Sequence, residues 1–113
     1  MGYQDEDAEL RVVEAMTDGD AHLVARAVRA VRITRDHPEL RIGASVRGAI
    51  DSVLIAVELA TVRGTAADED DTGLDAALAA LTGKVTLADG VGRPVEDVVA
   101  DIWRRAGEEP GKA

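Results

Sequence analysis

The chain reads as an all-α protein, a small helical bundle with room for one short strand or hairpin near residues 84–92. Three observations predict this. Apolar residues recur at helical spacing over 21–36 and again over 95–106. Breakers fall between the periodic stretches, at Pro38, Gly64, Gly83 and Pro94. The 113 residues are 46% hydrophobic yet contain no Phe, one Trp and one Tyr, so Ala, Val, Leu and Ile do nearly all the packing. Small aliphatic side chains suit closely approaching helices.

Taken in order, residues 5–17 form a first helix with Leu10 and Val13 on its buried side, joined by Ala8 and Met16. Thr17-Asp18-Gly19-Asp20 is a turn, and Asp20 is placed to cap the next helix. Over 21–36, Leu23, Val24, Ala27, Val28 and Val31 make one stripe, while Arg26, Arg29, Arg32 and Arg35 spread over the other side as a solvated face. His37-Pro38 stops this helix, because the residue before a proline disfavours the α region. Glu39 to Ile42 is a short extended link ending at Gly43.

Ser45 caps a third helix over 46–63. Its apolar residues wrap almost the whole cylinder, which predicts the central position in the bundle. Gly64 ends it. Residues 65–73 read as a loop carrying the acid run Asp68 to Asp71, solvated rather than calcium-binding, since the alternating acids and closing Glu of a calcium loop are missing. An Ala-rich helix follows over 74–82, with Gly83 able to close it at positive φ. Lys84 to Leu87 alternates weakly, and Asp89-Gly90 signals a turn. Pro94 starts the last helix, whose stripe is Val95, Val98, Val99, Ile102, Trp103 and Ala106. Gly107 to Ala113 reads as a frayed tail. The chain thus divides into a bundle over 1–64, an acidic loop over 65–73 and a helical extension over 74–113 packed back on the bundle.

Net charge is -9, unevenly spread. Residues 1–20 balance to -6, residues 21–47 to +4 and residues 48–113 to -7. Overall acidity argues against nucleic-acid binding, and an apolar third helix argues against a helix-turn-helix reader. Without cysteine there is neither disulfide nor thiolate zinc site, and His22 and His37 lack a ligand set around them. The most apolar stretch, 52–62, is too short to span a bilayer and contains Glu58; no secretory signal opens the chain, and a cytoplasmic setting is expected.

The G-x-x-x-x-G-K-[ST] phosphate loop is missing, and Gly90-Val91-Gly92 is not a dinucleotide fingerprint. Neither Ser45 nor Ser52 has a histidine partner in sequence. One segment carries a chemical reading: Gly43-Ala44-Ser45-Val46-Arg47-Gly48. It sets Arg47 in the first turn of the third helix, where free backbone N–H groups and the positive dipole end already favour an anion. A guanidinium offers a planar fork for phosphate. Gly43 and Ser45 belong to the same helix start. The plain alternative is a capped helix with a surface arginine.

The stretch from Arg32 to Gly48, with Thr34-Arg35, His37-Pro38 and Gly43-Ala44-Ser45-Val46-Arg47 in register, resembles the lid domain of MoxR-type AAA+ ATPases. Those lids carry a run close to A-T-R-x-H-P-x-(V/L)-x-L-G-A-S-P-R-(G/A). Gly2-Tyr3-Gln4, followed by Glu9-Leu10, resembles the G-Y-P…E segment that opens the same lid. Together the two landmarks cover residues 2–63. Three departures stand out: Val46 replaces the usual Pro, Gln4 replaces the Pro of G-Y-P, and the first two helices are joined by a shorter connection. Residues 74–106 resemble, more loosely, a segment that follows the lid in some members.

The resemblance implies that Arg47 is the second-sensor arginine, reaching from the lid to ATP held, with Mg2+, by an AAA+ core domain. It implies a hexameric ring and chaperone-like remodelling of a client protein. The Walker motifs, first sensor and arginine finger are not in this chain, so no activity is expected from it alone; Met1 standing directly before the lid-opening motif reads as a fragment of a larger ATPase. The alternative is a helical adaptor that grips an acidic partner with its Arg-rich second helix.

Overall fold

The computed structural model describes residues 5–67 and 69–108. Five helices and one two-stranded antiparallel sheet build it, in the order α1 (Glu6–Met16), α2 (Ala21–Asp36), β1 (Leu40–Ile42), α3 (Val46–Arg63), α4 (Asp70–Leu81), β2 (Thr86–Leu87) and α5 (Val95–Glu108). The fold is a small all-α bundle. Among the described residues no helix is long and apolar enough to cross a membrane.

Helix ends follow local chemistry. Asp5 accepts from the Ala8 N–H at 2.8 Å, and Asp20 from that of Leu23 at 3.0 Å. Ser45 accepts from the Arg47 N–H at 3.3 Å. Gly64 closes α3 in the left-handed region, at φ 71°, and donates to the Ala60 carbonyl at 2.8 Å. Gly83 does not repeat this. The end of α4 is Thr82 in right-handed conformation, its hydroxyl donating to the Leu78 carbonyl at 2.8 Å. The only other left-handed glycine among the described residues is Gly90, in the turn after β2.

The strand foreseen near 84–92 exists, but not as a local hairpin. β2 pairs with the extended link after Pro38, with Leu40 opposite Leu87 and Ile42 opposite Thr86. Arg93 reinforces the junction by ion-pairing with Glu39 at 2.6 Å and also with Asp101 on α5. The acid run is not wholly loop either. α4 starts at Asp70, four residues earlier than the apolar pattern indicates, because acids are favoured in a first helical turn. Thr72 and Gly73 are buried there, and a Cβ on Gly73 would stand 2.9 Å from the Trp103 ring. Asp68, the opening Gly2-Tyr3-Gln4 and the tail over 109–113 lie outside the described residues.

The central helix is α2, not α3. α2 buries Leu23, Val24, Ala27, Val28, Ala30, Val31 and Thr34, and packs against α1, α3, α5 and β1. α3 buries Ala49, Ile50, Ser52, Val53 and Ala56, but leaves Leu54 42% and Val62 83% exposed. Composition misleads here because long arginine side chains can bury their stems while their heads reach polar partners. Arg26 donates to the Trp103 carbonyl at 2.9 and 3.1 Å and lies 4.6 Å from the centre of its ring. Arg29 donates to the Ala106 carbonyl at 2.9 Å. Both arginines thus meet the negative end of α5. The face read as solvated is an interface between helices. Trp103 is 2% exposed, and its indole N–H has no hydrogen-bond partner among the described residues.

α1 buries Val13 as expected, but Met16 is 55% exposed. Its second buried residue is Glu9, 2% exposed. Glu9 accepts from Arg35 through both carboxylate oxygens, at 3.1 and 2.8 Å, and from Arg32 at 2.8 Å. The Arg35 side chain is 8% exposed. Burial pushes the Glu9 carboxyl up, but hydrogen bonds and positive charge from Arg35 and Arg32 outweigh it, and its pKa lies below the ordinary value. A carboxylate whose folded pKa is depressed contributes stability that is full above its unfolded value and is lost as pH falls through the folded one. Glu9→Gln should therefore cost about 3 kcal/mol in urea denaturation at pH 7, since Arg35 stays buried without its counter-ion. The gap from wild type should narrow as pH drops below 4.5, the ordinary value for Glu9.

Candidate functional site

The segment between α2 and α3 is built by α2 itself. The Thr34 hydroxyl donates back to the Val31 carbonyl and accepts the Ala44 N–H at 2.8 Å. Arg35, already held by Glu9, donates through Nε to the Ala44 carbonyl at 2.9 Å. Both backbone groups of Ala44 are thus taken by adjacent residues of one helix. Gly43 lies so close to that helix that a Cβ would come within 2.7 Å of Arg35 Cα and the Thr34 carbonyl oxygen. At the front of the segment, His37 Nδ1 accepts from the Glu39 N–H at 3.1 Å. The run from Thr34 to Ser45 is a rigid elbow that sets where α3 begins.

Of the three residues singled out at this helix start, Arg47 and Ser45 are exposed, and Arg47 is the one that carries a charge. It is 65% exposed, and its ion-pair partner among the described residues is Asp51, one turn on, at 3.3 Å. Ser45 spends its hydroxyl on the cap, at the Arg47 N–H itself. Gly43 packs its backbone against α2, which leaves no room for a side chain on that face. A second cation, Lys84, reaches the other oxygen of Asp51 at 3.2 Å. Lys84 is 37 positions from Arg47 along the chain, and no local pattern connects the two.

The four arginines of α2 are engaged elsewhere. Arg35 and Arg32 serve Glu9, and Arg26 and Arg29 meet α5, so neither of the latter pair can be reversed in charge without disturbing the fold. An open depression beside α2 is lined by Arg29, Arg32, His37 and Arg105, with Glu6 and Asp36 among them. No group of three or more His, Asp or Glu able to hold a metal ion occurs among the described residues. Comparison with protein-family models, with characterised proteins and with solved structures returned no match.

The elbow and the cap separate by substitution. Gly43→Ala must push the elbow away from the α2 backbone at Thr34 and Arg35, and a loss of about 2–3 kcal/mol is expected. Ser45→Ala removes one exposed cap, for about 1 kcal/mol. Chemical denaturation of both variants measures the difference, and equal losses would show that the elbow is not tightly packed.

Proposed function

We propose that this chain is the lid module of a MoxR-like AAA+ ATPase, closing over ATP that a core domain binds together with Mg2+. Arg47 is its nucleotide contact and meets the phosphate end of the bound ATP. The single observation that carries this reading is the contrast among the arginines. Arg35 is buried and holds the elbow in place, whereas Arg47, at the end of that elbow, projects into solvent from the first turn of an 18-residue helix. A guanidinium on a rigid mount suits contact with a phosphate presented by another surface. The resemblance over residues 32–48 assigns the same residue. On this reading the module works within a cytoplasmic hexameric ring that remodels a client protein, and it has no hydrolytic activity alone.

A second reading, a helical adaptor for an acidic partner, rests on the depression of Arg29, Arg32 and Arg105 beside α2. Arg26 lies outside this depression, against Trp103.

Arg47→Ala tests the first reading. Its surface pair with Asp51 is worth at most about 1 kcal/mol, so the melting temperature should hardly move. In the protein that joins this chain to its core domain, ATP hydrolysis should fall at least about tenfold, the effect of losing one charged phosphate contact of about 1.4 kcal/mol or more. Unchanged hydrolysis would remove the assigned role. The adaptor reading predicts instead that Arg105→Glu abolishes binding of a poly-glutamate peptide to the chain, with Arg47→Ala binding it normally.

A further inference from the structure

The segment after α4 places a charge beside Arg47. The turn that leaves α4 is closed by the Lys84 N–H donating to the Leu81 carbonyl at 2.9 Å, and it crosses the first turn of α3 at Gly48. Gly48 is buried there. A Cβ on it would stand 2.9 Å from Leu81 Cδ2 and 3.6 Å from Lys84 Cδ, so the lysine stem lies along the start of α3. Its ammonium ends 3.2 Å from Asp51 Oδ2, while Arg47 Nε lies 3.3 Å from Asp51 Oδ1. One carboxylate holds two cations, each on its own oxygen. The three charges sum to +1 on a chain whose net charge is -9. Arg47 and Lys84 both remain accessible, at 65% and 37% exposure.

We propose that Lys84 is a second anion-binding cation of the Arg47 site, and that Asp51 is the resident counter-ion that a polyphosphate group displaces. This rests on the reading of Arg47 as a phosphate contact. One carboxylate bears a single charge against two cations, so a multiply charged phosphate exchanged for it gains from both. The two cations complement each other: Arg47 gives a planar fork and Lys84 a compact point charge. Asp51 keeps them together before the anion arrives, which reduces the ordering needed on binding. The helical extension after α3 thereby acquires a chemical role, as the element that carries Lys84.

The test is a titration of the 15N-labelled chain with inorganic tripolyphosphate, followed by NMR at the Arg47 Nε–H and the amides of residues 46–48. Wild type should show saturable shifts. Lys84→Met keeps the apolar stem over Gly48 but removes the charge, and should weaken binding about tenfold; Lys84→Arg should stay within about twofold of wild type. Asp51→Asn should tighten binding several-fold. Wild-type affinity in Lys84→Met, with binding lost in Arg47→Gln, would overturn the role of Lys84 and leave Arg47 standing. Equal binding by Arg47→Gln and wild type, or no saturable shift in wild type, would overturn both. Failure of Asp51→Asn to tighten binding would overturn the counter-ion role.

Discussion

The fold depends on the buried ion pair between Glu9 and Arg35. Arg35 uses both ends of its guanidinium on Glu9 and its Nε on the Ala44 carbonyl, so one side chain joins α1, α2 and the elbow before α3. Such a pair need not add much net stability, because desolvation offsets the attraction. Its effect is on uniqueness. Glu9, 2% exposed, meets two guanidinium groups of α2, and Arg35 ties it to the Ala44 carbonyl as well. The position of Arg47 follows from that constraint through Thr34, Gly43 and Ala44.

The same physics explains why the arginine-rich helix is the central one. A helix is usually placed in the middle of a bundle by its apolar residues alone, and α3 is the richer in those. α2 instead carries long donors that reach helix ends and a buried carboxylate. Arg26 and Arg29 neutralise the carbonyl end of α5, and Arg26 also covers the face of Trp103. Each guanidinium brings a neighbouring helix into contact with α2 while its stem contributes packing. α3 buries Ala49, Ile50, Val53 and Ala56 and exposes Leu54 and Val62.

Two groups of cations in the chain do different work. Those on α2 hold helices together: Arg32 and Arg35 meet Glu9, and Arg26 and Arg29 meet carbonyls of α5. Arg47 and Lys84 share a single partner at the surface and remain open to solvent. A chain of strong net negative charge repels anions at long range, so a local positive site has to be assembled by placement rather than by composition. The first turn of α3 supplies Arg47, the turn after α4 supplies Lys84, and Asp51 joins them.

The sequence by itself determined what is decided within a few residues. The spans of α2 and α3 are set by helical periodicity, and their ends by Asp20, Ser45 and Gly64, each acting on a backbone group no more than four positions away. Arg47 in the first turn of α3 was legible for the same reason. Only the tertiary structure decided which helix lies at the centre, that Glu9 is buried, that Thr86 pairs with Ile42, and that Lys84 stands beside Arg47. Even the start of α4 belongs here, because the acid run reads as solvated loop until Gly73 is found packed on Trp103. These outcomes are contacts between residues tens of positions apart. A long polar side chain looks the same in sequence whether its head meets water or a buried carboxylate, and the difference lies in the neighbour that folding brings to it.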